Sequence, residues 1–121
     1  MKTILKKTSV AGTLILAFCF LFSGSSFAQK KKETIVIKTS AQCEKCKKRI
    51  EDAVMMESGV KSADLDVKTG EIKVIYIDSK TNADAIRSII SKIGYDADSI
   101  PADHDAYHKL PTCCQKDGHS H

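Results

Sequence analysis

The chain has 121 residues, of which 28% are charged and 42% hydrophobic, with no Trp, a length that holds one small domain and little more. Its formal net charge is +4, but three of the 19 Lys/Arg precede position 28 and all 15 Asp/Glu follow it, leaving 16 cations against 15 anions in the remainder. Cations and anions are interspersed there, which excludes the basic stripe that nucleic-acid binding requires.

The first segment carries the marks of export. Lys2, Lys6 and Lys7 form a positive start, Val10 to Phe22 is a 13-residue apolar run, and Ser26 and Ala28 supply the small residues a signal peptidase reads. Residues 1–28 are therefore expected to be a signal peptide cleaved after Ala28. The run is shorter than the roughly 20 residues of a membrane span, so no membrane insertion is expected once it is removed. Bulky Phe18 before Cys19 argues against a lipid-attachment signal. The expected location is the periplasm or the exterior, an oxidising setting for the four cysteines that remain.

Residues 29–33 read as a solvated leader, and 34–100 as the domain. "TIVIKT" is rich in β-branched residues and suits a central strand buried on both faces. Cys46, Ile50, Ala53 and Val54 then fall on one stripe of an amphipathic helix ending near Gly59. "VKSADLDV" alternates, with Ala63, Leu65 and Val67 on one face, and "EIKVIYI" places Ile72, Val74 and Tyr76 together; "KTG" between them is a hairpin turn. A second helix opens at Thr81 or Asn82, carries Ile86, Ile89, Ile90 and Ile93, and stops at Gly94. "YDADSI" is expected as a short edge strand whose aspartates guard the edge. The order βαββαβ predicts an α+β ferredoxin-like plait, a four-stranded antiparallel sheet with two helices on one face. Residues 101–121, with Pro101, Pro111, Gly118 and few apolar positions, read as a flexible tail.

Cys43 and Cys46 are three apart where loop becomes helix. Such a pair can do three kinds of chemistry. Structural zinc needs a closed set of four ligands, and no second well-spaced pair lies within 34–100. A thiol-disulfide oxidoreductase is the alternative of another class, but "QCEKCK" lacks the aromatic or Pro expected beside redox cysteines. Two thiolates without further obligatory ligands suit a soft ion of low coordination number, Cu(I) first and Hg(II) next. The helix start and the cations Lys45, Lys47, Lys48 and Arg49 are expected to lower the thiol pKa values, and those cations to offer a rim for an acidic partner.

Cys-x-x-Cys between strand and helix, "ESGV" before the second strand, "TGEIKV" in the hairpin and "IGYDAD" near the end resemble the heavy-metal-associated domain family. That family includes copper chaperones, N-terminal modules of copper-exporting ATPases and a periplasmic mercury-binding protein. The resemblance implies the plait fold, Cys43 and Cys46 as metal ligands, and transfer of the ion by thiolate exchange with a partner such as a metal-transporting ATPase or another metal-binding protein. It also places Tyr95 where bacterial members often carry a Tyr over the metal loop, in support of the ligands. Ser40 and Ala41 depart from the family's usual Gly-Met, a change expected to loosen the loop.

The end of the chain offers a possible secondary metal site, Cys113, Cys114, His119 and His121, with His104 and His108 upstream; imidazole with thiolate accepts copper or Zn(II). It could act alone or fold back over Cys43 and Cys46, and disulfide formation is the competing outcome. Of Met55 and Met56, at least one is expected in the core. No triad or paired carboxylates suggest catalysis, so a monomeric metal-binding carrier rather than an enzyme is expected.

Overall fold

The computed structural model describes residues 31–116; the expected signal peptide with its cleavage point, and His119 and His121, lie outside the described residues. Three strands, β1 (Lys32–Lys38), β2 (Val60–Asp66) and β3 (Glu71–Ile77), form an antiparallel sheet in the order β1-β3-β2. β3 is central, pairing Ile72 with Ile37 on one side and with Leu65 on the other. Helices α1 (Glu44–Met55) and α2 (Ala83–Lys92) bury Cys46, Ile50 and Val54, and Ile86 and Ile90, in one cluster with Ile37, Leu65, Ile72 and Val74 from the sheet. The periodicity of each element accounts for this. Period-2 strands turn one face to the helices, and period-3.6 helices turn one stripe to the sheet.

Local chemistry fixes the ends. Asn82 caps α2, its side-chain oxygen accepting from Ala85 N at 2.8 Å. The β2–β3 turn closes on Gly70, at φ +74°, where a Cβ would lie 2.8 Å from the Thr39 carbonyl oxygen. The Gly70 carbonyl in turn accepts from Thr39 N at 2.9 Å and Thr39 Oγ1 at 2.6 Å, tying the hairpin to the loop before α1.

Four expectations change. β1 starts at Lys32, inside the expected leader, and is buried on one face only: Ile37 is enclosed while Val36 is 54% exposed, because no layer covers the second face. Met55 and Met56 are both exposed, since they lie at the end of α1 off its buried stripe. Among the described residues the sheet has three strands, not four. Ala97 makes single bridges to Thr39 and Ile100, and Asp98, at φ +51°, turns the chain back before a ladder can extend. Asp98 nonetheless occupies the β1 edge: its Oδ1 accepts from Lys38 N at 2.9 Å, its N donates to Lys38 O at 2.8 Å, and Arg87 Nε donates to its Oδ2 at 2.8 Å.

The fourth change is at the C-terminal side. Residues 101–116, expected as a flexible tail, carry a short helix α3 (His104–His108), a 3-10 turn at Thr112–Cys114, and two enclosed side chains, Leu110 and Cys114. Asp103 caps α3 by accepting from Ala106 N at 3.0 Å. The segment is pinned to the end of α2, where Asp103 N donates to Ser91 O at 2.9 Å and Ser91 Oγ to Pro101 O at 2.7 Å. Gly94 makes the close approach feasible: at φ +104°, a Cβ there would stand 2.9 Å from the Ala106 carbonyl carbon. No helix among the described residues is long and apolar enough to cross a membrane.

Candidate metal centre

The loop after β1 and the first turn of α1 set the cysteine pair. Cys43 is the N-cap residue, with extended backbone (φ −148°) and no side-chain capping bond, so its sulfur is left for other partners. Cys46 points from the first turn into the core and is fully buried, while Cys43 is half-buried. Their Sγ atoms are 3.1 Å apart. The loop is tied down rather than loosened: Asp96 N donates to Ser40 Oγ at 2.9 Å, Ala41 N to Thr39 Oγ1 at 3.2 Å, and Ala41 is buried.

Cys113 and Cys114 arrive at the same place. Their sulfurs lie 3.8 and 3.7 Å from that of Cys43 and 3.9 Å from each other. The predicted primary pair and the cysteine half of the predicted secondary site thus form one four-sulfur cluster, with all four cysteines as thiols. His104 and His108 do not join it; they are exposed on α3, with Nε2 atoms 3.1 Å apart. Tyr95 is fully buried beneath the cluster, its hydroxyl without a hydrogen bond to nitrogen or oxygen. Burial, and then the neighbouring Cys114 and Cys46 sulfurs, push its pKa far above the usual phenol range, so it remains a neutral group under the sulfurs.

The cluster splits the thiols electrostatically. Burial raises the Cys43 pKa, but hydrogen bonds from the Cys46 side chain and backbone, and from Cys114 and Cys113, outweigh it and bring the thiol down to about 7. Burial and the sulfurs of Cys46 and Cys43 push Cys114 up to about 12, against a lowering contact with Tyr95. The helix start contributes through the Cys46 N–H as expected. Lys47 and Lys48 are committed elsewhere: Lys47 pairs with Glu51 at 2.9 Å and Asp64 at 3.3 Å, and Lys48 with Asp52 at 3.0 Å. Lys45, Lys48 and Arg49 line a shallow hollow with Asp52 and Pro111, beside the cluster's C-terminal wall.

Chemically, a partly buried set of four sulfurs, one of which loses its proton near pH 7, suits thiophilic cations better than hard ones, whose preferred ligands are oxygens. Of the two arrangements open to the second cysteine pair, the structure has the fold-back over Cys43 and Cys46. The 3-10 turn at Thr112–Cys114 brings both sulfurs to the same neighbour.

Residues 35–96 match the family described as heavy-metal-associated domain. A copper-exporting P-type ATPase of Staphylococcus aureus (strain JH9) is 37% identical over 59 residues, covering 49% of this chain and 7% of that protein; the chain thus spans only a small part of such relatives. Among solved structures, a CopZ metallochaperone superposes with a TM-score of 0.52 at 30% identity, covering 54% of this chain and 98% of that one. The water-soluble region of the P-type ATPase CopA from Bacillus subtilis gives 0.54 at 30% identity, over 57% of this chain and 46% of that one. Oxidized MerP from Ralstonia metallidurans CH34, at 20% identity and a TM-score of 0.53, covering 55% of this chain and 94% of that one, shares the fold.

Proposed function

Since the chain belongs to the heavy-metal-associated domain family, we propose that it binds a soft metal ion, Cu(I) foremost, through the thiolates of Cys43 and Cys46. In this reading the protein is exported, carries or scavenges the ion in the periplasm, and passes it to a partner by thiolate exchange. A metal-transporting ATPase or another metal-binding protein is the partner that reading calls for. Similarity to a CopZ metallochaperone and to a copper-exporting ATPase supports copper over Hg(II).

The observation that carries the reading is the 3.1 Å sulfur pair, one member acidic enough to be ionised near neutral pH. Cys46 supplies a sulfur shielded from water and Cys43 an accessible one that a partner thiolate can approach. Binding must expel the remaining thiol protons, so affinity rises with pH until the ligands are all ionised.

Titration of the reduced protein with Cu(I), Hg(II) and Zn(II), in competition with a chromophoric chelator, tests the assignment. Cu(I) is expected to bind far more tightly than Zn(II), and the Cys43→Ser/Cys46→Ser protein to lose that preference. Retention of the same affinities without either sulfur would overturn it. The low Cys43 pKa and the short sulfur separation also favour a second reading, thiol-disulfide exchange. Insulin reduction that depends on Cys43, without tight metal binding, would select it.

A further inference from the structure

We propose that residues 101–116 are a built-in lid on the metal site, with Cys113 and Cys114 joining Cys43 as ligands of a three-thiolate centre that retains the ion until the lid opens. This rests on the soft-metal reading above and adds a closed state to it: with the lid down the ion sits among Cys43, Cys113 and Cys114, and with the lid up it is held by the Cys43/Cys46 pair. The sulfurs of Cys43, Cys113 and Cys114 form a nearly equilateral triangle with edges of 3.8, 3.7 and 3.9 Å. Dividing the mean edge by √3 puts its centre about 2.2 Å from each sulfur, close to the roughly 2.3 Å of a zinc–thiolate bond. An ion can therefore enter the triangle with little movement of the chain. Three metal–sulfur bonds form, the thiol protons leave to solvent, and no electron is transferred.

Docking of the lid is specific. Leu110 inserts into the core at 6% exposure, and Asp96 holds both ends of the segment, accepting from Ala102 N at 2.9 Å and pairing with the Lys116 ammonium. Lys116 N donates to the Tyr107 hydroxyl at 2.8 Å, closing the segment on itself. With the lid down, Cys46 is 0% and Cys114 1% exposed. An incoming thiolate can reach the ion from the side of the half-buried Cys43 and Cys113, and replacing three sulfurs takes more steps than replacing two. Undocking removes two ligands at once and leaves the ion on the Cys43/Cys46 pair, 3.1 Å apart, from which a partner thiolate takes it, so lid opening controls release.

Cu(I) loading of the reduced full-length mature chain tests this, read by X-ray absorption for sulfur coordination number and by the rate of loss to excess chelator. Three sulfurs are expected in the native protein. Cys113→Ser/Cys114→Ser leaves the Cys43/Cys46 pair and is expected to show two sulfurs and to release Cu(I) at least about 10-fold faster, since loss of outer-shell partners alone costs about 10- to 100-fold in metal affinity. Leu110→Asp keeps every sulfur but places a charge in the lid's socket, and is expected to release at the faster rate. Two-sulfur coordination in the native protein, with an unchanged rate in Cys113→Ser/Cys114→Ser, would sink the lid while leaving the Cys43/Cys46 reading intact. Undiminished Cu(I) binding by Cys43→Ser/Cys46→Ser would instead sink the reading on which the lid rests. Should Leu110→Asp unfold by circular dichroism, the paired serine variant decides.

Discussion

The two cysteine pairs reach one cluster by opposite means. Cys43 and Cys46 sit on a loop and a long helix fixed by the main core, whereas Cys113 and Cys114 ride on a five-residue helix and a single 3-10 turn held by a few contacts. Their chemistry is opposed too, with Cys43 lowered to about 7 and Cys114 raised to about 12. Several thiols around one sulfur can all donate to it, so the first proton leaves easily. The resulting charge then opposes the next ionisation. A cluster of this kind loses its first proton near pH 7 when empty and must shed further protons on accepting a cation.

That contrast can be broken most decisively by alkylation. At pH 7 about half of Cys43 would be thiolate, against about one part in 10⁵ of Cys114, from the Henderson–Hasselbalch relation applied to those pKa values. Iodoacetamide should thus label Cys43 orders of magnitude faster. Its rate should rise as pH passes through about 7 and level off above, while that of Cys114 keeps rising throughout the accessible range. Equal rates at pH 7, read site by site by mass spectrometry, would contradict the split.

The sharper contrast is in packing. Ile50, fully buried on α1, belongs to the main core, and its replacement by Ala should cost about 2–5 kcal/mol of global stability. Leu110→Ala should cost less in the global denaturant midpoint, because the lid can open as its own unit while the rest stays folded. Its signature should be faster labelling of Cys114. A Leu110→Ala midpoint lowered as far as that of Ile50→Ala would show that lid and core unfold together.

Legibility in the sequence follows the same division. The stripes on α1 and α2, the hairpin and the position of Cys43 and Cys46 could all be read, because each rests on a repeated period or a turn residue within a few positions. The lid could not be read that way. Its docking depends on a missing Cβ at Gly94, on Asp96 bonding at distances of 6 and 20 positions along the chain, and on only Leu110 and Cys114 as enclosed anchors. A weak local signal was present in Asp103 as a cap followed by Ala106, Tyr107 and Leu110 at helical spacing. The fourth strand failed for a different reason: "YDADSI" has strand composition, yet Asp98 takes a left-handed backbone and uses its carboxylate on the β1 edge.

Between these extremes lies the bond network that holds α1 against the sheet. Glu51 Oε2 accepts from Leu65 N at 2.8 Å and from Lys47 Nζ at 2.9 Å, joining the helix that carries Cys46 to β2. Glu51→Ala removes both and leaves the Leu65 N–H without that partner, with an expected loss of about 1–2 kcal/mol in denaturant unfolding. Cys43 labelling should change little, since its acidity comes from neighbouring thiols and the Cys46 N–H. A large shift in the Cys43 titration would tie the thiol to the helix–sheet bond instead.

The smallest expected effect concerns acid and the lid alone. Burial raises the Asp96 pKa, but the Lys116 ammonium and the Ala102 N–H outweigh it and hold the carboxyl below its ordinary value. A carboxylate depressed in the folded state contributes stability that is fully present above its unfolded value, about 3.9, and is lost as pH falls through the lower folded pKa. The lid should therefore stay docked at neutral pH and loosen only below about pH 4. The Ala102 amide, which donates to Asp96 at 2.9 Å, reports this directly in an NMR titration. Its shift should follow a midpoint below that of an unstructured aspartate and disappear in Asp96→Asn. A midpoint at or above the unstructured value would mean that Lys116 and Ala102 do not hold the carboxylate, and that Leu110 keeps the lid closed without it.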